Sequence, residues 1–194
     1  MSVSSDVAER FIAMPESSAV ALRINIDAYF DVLRGLMDRF LIEKNLECIY
    51  ITSTIPAQSI INAFNVLEIN MDNIYFIDCV AHLLTGSAKE TDKVSFIESP
   101  TMLENVLLKI EYLMRKLSDH GKRKLILLDS INSFAIHNNP KILSEFMHIL
   151  VNNLRSKNAY TVILTIAEQS NEEIQNMTNF VCDDTIVVEG EGGG

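Results

Sequence analysis

The sequence predicts a single three-layer α/β domain built on a mostly parallel central sheet. Three observations lead there. Short runs rich in β-formers, residues 48–53 (CIYITS), 74–79 (IYFIDC) and 124–129 (KLILLD), are apolar almost throughout. Strands buried on both faces read this way, whereas half-exposed strands alternate. Each run is followed by a segment with apolar residues three and four apart, the period of an amphipathic helix. The length of 194 residues, with 48% hydrophobic and 22% charged content, suits one domain with a substantial core.

In chain order, Val7, Phe11 and Ile12 have helical spacing after a cap at Ser5, giving an N-terminal helix or extension over 1–18. The α/β domain then runs over 19–189. It opens with an apolar strand, 19–26, and a helix, 29–41, carrying Leu33, Leu36, Met37 and Phe40 on one stripe. The strand at 48–53 leads to Pro56, suited to a first helical turn, and to Ile60, Ile61, Phe64 and Leu67. After the strand at 74–79 come a short strand, 94–97, and a helix, 101–117, for which Ser99 and Pro100 supply a cap and first turn. Gly121 stops that helix. Strand 124–129 precedes a helix at 141–155, strand 161–166, a polar helix at 171–179 and strand 185–188; residues 190–194 (GEGGG) form a flexible tail.

The formal net charge of −10 and pI near 4.8 set the chain against nucleic acid and anionic membranes. The basic triplet Lys122–Lys124 reads as the solvated start of a strand. Cys48, Cys79 and Cys182 are widely spaced in apolar contexts, as free thiols of a reducing compartment are. His82, His120, His137 and His148 show no zinc-ligand spacing. No apolar run approaches the ~20 residues of a membrane span. A cytoplasmic protein is expected.

Open parallel sheets bind ligands at the carboxyl ends of their strands. That rule picks Asp27, Asp78 and Asp129. They suit either a Mg²⁺ or phosphoacceptor site, or aspartates capping loop amides. A phosphate cradle needs glycines and a lysine, yet only Gly35, Gly86 and Gly121 precede the tail and no GxxxxGK[ST] exists. The nearest approach, residues 52–59 (TSTIPAQS), has Gln58 where the lysine belongs.

The order of YITSTIPAQSIINAF, IYFIDCVA, SPTMLENVLLKIEYLMRKL, LILLDSINSF, FMHILVNNLRSKNAYTVILTIAEQ and DDTIVVE resembles the RecA superfamily, in particular the KaiC-like ATPases abundant in archaea. The resemblance implies a RecA-like P-loop NTPase fold in which the first strand feeds the phosphate loop, the second ends near catalytic glutamates and a later one ends in Asp-Ser. Carried over by position, Asp129 and Ser130 match the metal-side motif, with Asp129 as the Mg²⁺ ligand. The phosphate-loop place holds DAYFDVLR, so the lysine falls on Leu33 and the hydroxyl residue on Arg34. Asp27 and Asp31 repel a triphosphate there, and Tyr29 and Phe30 crowd it. Ser53, Thr54 and Ile55 stand where the glutamates belong, and none serves as a general base.

The degenerate nucleotide-site residues are thus Asp27, Arg34, Asp129 and Ser130. The leading expectation is a non-catalytic domain of the archaeal signal-transduction type, without cofactor, acting through a protein partner or self-association, with Ile136, Met177 and Phe180 as exposed interface positions. A second reading keeps ATP and Mg²⁺ on Asp129, with Arg34 or Thr165 replacing the loop. A third makes Asp78 or Asp129 a phosphoacceptor.

Overall fold

A computed structural model describes residues 2–190. Helix α1 (Val3–Ile12) precedes β1 (Ala19–Ile24). A 3-10 turn, Ile26–Ala28, leads into α2 (Tyr29–Arg34), which continues through a π-helical stretch, Gly35–Phe40, into α3 (Leu41–Glu43). Then come β2 (Leu46–Thr52), α4 (Ala57–Val66), β3 (Ile74–Asp78), α5 (Ala81–Thr85), β4 (Val94–Phe96) and α6 (Leu103–Lys116). The second half holds β5 (Arg123–Asp129), α7 (Ile131–His137), α8 (Pro140–Ser156), β6 (Tyr160–Ile166), α9 (Glu172–Val181) and β7 (Asp184–Val188).

The seven strands form one sheet in the order β4-β3-β2-β5-β6-β1-β7, and every pairing is parallel. Parallel neighbours need crossovers, and the helices supply them on both faces. Period two divides the strand side chains between two cores. Val20, Leu22, Ile24, Cys48, Tyr50, Leu125 and Leu127 pack under α1 to α4. Ile49, Ile51, Ile77, Ile126, Leu128 and Ile163 pack under α6 to α9. This double burial is why the central strands look apolar at every position.

Local signals hold with specific shifts. Ser2, not Ser5, caps α1: its extended backbone lets Oγ accept from Ser5 N at 3.3 Å, while Ser5 already lies in the first turn. Ser99 and Pro100 form a turn ahead of α6, whose cap position is Met102. Asn139 caps α8 with Pro140 at its first position, and Asn171 caps α9. Gly121 follows a 3-10 turn at φ 66°, the left-handed region glycine enters without strain. The short helices α5 and α7 lacked a long enough periodic pattern to be read from sequence. Of the residues assigned to a tail, 191–194 lie outside the described ones.

Two surface expectations need correction. Lys124 is not solvated: its Nζ forms a 2.9 Å ion pair with Glu47, and both side chains are about 5% exposed or less. His120 Nδ1 lies 2.6 Å from the other Glu47 oxygen. Burial tends to raise the Glu47 carboxyl, but Lys124 and His120 outweigh it and hold the group below its ordinary value. Met177 is 8% exposed and belongs to the core, whereas Ile136 and Phe180 are exposed, at 78% and 74%.

Helix α1 lies directly on Gly35, where an added Cβ would fall inside contact distance of the Ser4 carbonyl oxygen and 3.2 Å from Ser4 Cα. Gly35 has ordinary helical dihedrals, so the requirement is closeness, not backbone freedom. Gly35→Ala should therefore destabilise the fold by about 1–3 kcal/mol despite alanine's better helix propensity, measured by chemical denaturation.

Candidate functional site

The chain runs from β2 outward to β3 and β4, then returns to β5 beside β2 and moves on to β6. The carboxyl ends of β2 and β5 therefore flank the point where strand order reverses, the usual ligand crevice of an open sheet. Thr52 pairs in register with Asp129 on one side and Asp78 on the other. The crevice is laced by hydrogen bonds. Ser53 N donates to the Asp129 carbonyl at 2.9 Å, its Oγ lies 3.2 Å from the Ser130 carbonyl, and Ser133 Oγ donates to the Ser53 carbonyl at 2.7 Å.

Asp129 ends β5 and is 3% exposed. Its Oδ2 accepts hydrogen bonds from the hydroxyls of Tyr29 and Tyr50, the latter at 2.5 Å, and the two hydroxyls are 3.0 Å apart. Tyr50 reaches the site from β2, beside β5, and Tyr29 from the first turn of α2, across the sheet face. Burial raises the Asp129 carboxyl above its ordinary value, and the tyrosine hydrogen bonds pull the other way. Both phenols are pushed well above theirs, by burial first and by the Asp129 charge next. The cluster holds one negative charge at most, shared by hydrogen bonds among three side chains.

The link between β1 and α2 is Asn25 and a single 3-10 turn. Ile26 N donates to both carboxylate oxygens of Glu168 at 3.2 Å. Asp27 is exposed, and a Cβ added to Gly190 would lie 3.1 Å from its Cβ. Leu33 is fully buried. Arg34 turns away from Asp129: Nη2 donates to the Leu67 carbonyl at 2.7 Å, and Nη1 is 3.9 Å from Asp38. Phe30 points outward at 38% exposure while Tyr29 points in.

Of the expected site residues, the structure joins only Asp129 and Ser130, which stands at the first position before α7 without a side-chain capping bond and has its Oγ 3.4 Å from Thr54 Oγ1. Asp78 faces its own loops: Oδ1 accepts from Val80 N and Ala81 N at 2.9 and 2.8 Å, and Oδ2 from Ala57 N at 2.6 Å. The segment 52–59 is thus held by Asp78 and Ser130 and does not form a cradle. Among the described residues no group of three potential metal-ligating side chains comes together. Sequence reasoning placed Tyr29 near the site but missed Tyr50, Glu168 and Asn132, which brackets Ile166 N and O at 2.8 and 3.3 Å. The only sequence signal for Tyr50 is its position two residues before the end of β2, on the face opposite Ile49 and Ile51.

A family model described as the KaiC ATPase matches residues 36–192. The chain belongs to the KaiC ATPase family. The matched span begins inside the helical stretch after Arg34, so β1 and the β1–α2 link precede it. No curated protein sequence matches the chain. Among solved structures, a KaiC-like protein from the hyperthermophilic archaeon Pyrococcus horikoshii superposes with a TM-score of 0.60 at 14% identity, over 91% of this chain and 73% of that one. At that identity the likeness establishes the RecA-like fold of this KaiC-family domain.

Tyr50→Phe removes a hydrogen bond to a buried carboxylate and should cost about 1.5–3 kcal/mol in denaturant titrations. Asp129 also fixes a pH dependence. Its folded-state value is raised, so above the unfolded value of about 3.9 the native state holds a proton the unfolded state has lost. Stability from this group is complete below that value and declines as pH rises through the folded-state value. Wild type should therefore lose stability relative to Asp129→Asn as pH rises from about 4 towards neutrality, read from paired urea midpoints.

Proposed function

We propose that this KaiC-family domain does not turn over ATP and works by binding other protein chains, in signal transduction or a related regulatory setting. The observation that carries this reading is the tyrosine cluster on Asp129. ATP with Mg²⁺ is the ligand the family implies, and the residues present do not fit it. Magnesium takes oxygen ligands in octahedral order and keeps several waters, whereas Asp129 is buried and its Oδ2 already accepts from Tyr29 and Tyr50. A phosphate requires several inward-pointing amides. The β1–α2 link is one 3-10 turn, with its Ile26 amide bound by the Glu168 carboxylate.

The surface supports a protein partner. Ile136, Ile142, Ile149 and Phe180, on α7, α8 and α9, are each more than half exposed, and exposed apolar residues gathered on one helical layer favour association. The partner is either a second copy or another protein. The net charge of −10 argues against nucleic acid. The free thiols of Cys48, Cys79 and Cys182 fit a reducing, cytoplasmic setting, and no helix among the described residues is long and apolar enough to cross a membrane.

Titration calorimetry with ATP or ADP and Mg²⁺, paired with a phosphate-release assay, tests the reading. Neither binding heat nor turnover is expected. Micromolar nucleotide binding that Asp129→Ala abolishes would overturn it.

A further inference from the structure

Arg23 breaks the apolar run of β1, AVALRI. Its strand neighbours explain where it goes. Val20, Leu22 and Ile24 face the core beneath α1 to α4, so Arg23 shares the opposite face with Ala19 and Ala21, the face covered by α9. In register beside it stand Thr165 of β6 and Val187 of β7. These residues, with Thr185 and with Gln175 and Asn179 of α9, line a cavity of about 70 Å³.

Ala21, Val187 and aliphatic stems make up much of the wall, and a few polar groups are set into it. Those groups are a half-buried guanidinium, two amides and threonine hydroxyls, and among the described residues no carboxylate joins them, although the chain carries 26 acidic residues against 16 basic ones. Among the described residues Arg23 makes no ion pair or side-chain hydrogen bond, and neither does the hydroxyl of Thr165, a residue only 3% exposed. Thr185 Oγ1 donates to Asn179 Oδ1 at 3.0 Å. That bond commits the amide's acceptor and leaves its NH₂ free to donate. Thr178, which completes the wall, has its hydroxyl 3.1 Å from the Ile174 carbonyl. The donors left over therefore outnumber the acceptors, and the strongest is a cation.

We propose that this cavity binds a free tetrahedral oxyanion, inorganic phosphate or sulfate, with Arg23 as the charged anchor and Thr165, Gln175 and Asn179 as further donors. Size agrees with chemistry. At about 70 Å³ the cavity is far smaller than the roughly 300–1,000 Å³ of pockets for drug-sized ligands, which suits a small ion better than a nucleotide. Guanidinium forks match such oxygens better than an ammonium does. The bound ion joins β1, β6, β7 and α9, so it stabilises the edge of the sheet against α9. The site lies under α9, apart from the Asp129 cluster, and does not depend on how that cluster functions.

The test is thermal unfolding and calorimetry in sodium phosphate, sodium sulfate, sodium acetate and sodium chloride at matched ionic strength. Wild type should show a saturable rise in Tm with phosphate or sulfate, beyond chloride or acetate. Arg23→Gln should abolish the rise or weaken the affinity about tenfold or more, the loss of one charge-assisted contact. Lys109→Gln, the same charge change on α6, should leave it intact. Asn179→Asp, at an exposed position, sets a carboxylate at the cavity and should abolish the response even if Arg23→Gln does not fold. A non-saturating rise shared by wild type and both cavity variants is general salt exclusion and overturns the proposal. So does acetate acting as well as phosphate, or no phosphate effect on wild type.

Discussion

Two tyrosine hydroxyls converge on one oxygen of Asp129, and much of the carboxyl end of the sheet is arranged to keep that oxygen supplied with donors. A carboxylate buried without partners would be costly enough to neutralise itself or unfold its surroundings. Here one donor comes from the adjacent strand β2 and the other from α2, so satisfying Asp129 also fixes how α2 sits on the sheet. The backbone beyond it is equally constrained, because Ser53 and Ser133 close hydrogen bonds between the β2 and β5 loops. The place where an open parallel sheet usually receives a ligand is occupied by the protein's own side chains.

The amino end of the same strands is secured by a different device. Glu47 at the start of β2 and Lys124 at the start of β5 form an ion pair away from water, with His120 on the second carboxylate oxygen. Such a pair is weak evidence for net stability, but removal of one partner strands the other. Strands β2 and β5 are thus clamped at both ends by polar groups and between them by apolar packing on two faces. The middle of the sheet is tied together in these ways, and the half-buried Arg23 lies towards its β7 edge.

Much of the architecture was legible because its causes are local or periodic. Runs such as LILLD and CIYIT leave no exposed face, so a parallel sheet covered on both sides follows from composition alone. The turn at Gly121 is a single-residue effect, whereas the caps at Asn139 and Asn171 appear only in the structure. Failures occurred where a distant partner decided the outcome. Lys124 looked like a solvated lysine because Glu47 lies far away in sequence, and Met177 looked exposed because the α7 and α8 surfaces that bury it are remote in the chain. The candidate site was half legible. DAYFDVLR shows that no glycine-rich cradle follows β1, but nothing local says that Tyr29 turns inward while Phe30 turns out.

By itself, then, the sequence determined the α/β class, the order of the strands and of the longer helices, the KaiC-like resemblance that includes the LILLDS strand and the missing glycines and lysine. These depend on residue type and short-range spacing, which a chain carries before it folds. Only the tertiary structure decided that Asp129 is enclosed by Tyr29 and Tyr50, that Glu168 holds the Ile26 amide, that Arg34 serves the end of α4 and that Arg23 faces a cavity which, among the described residues, no carboxylate lines. The reason is physical: hydrogen bonds and charge pairing act over a few ångströms, between groups that only the packed sheet brings together.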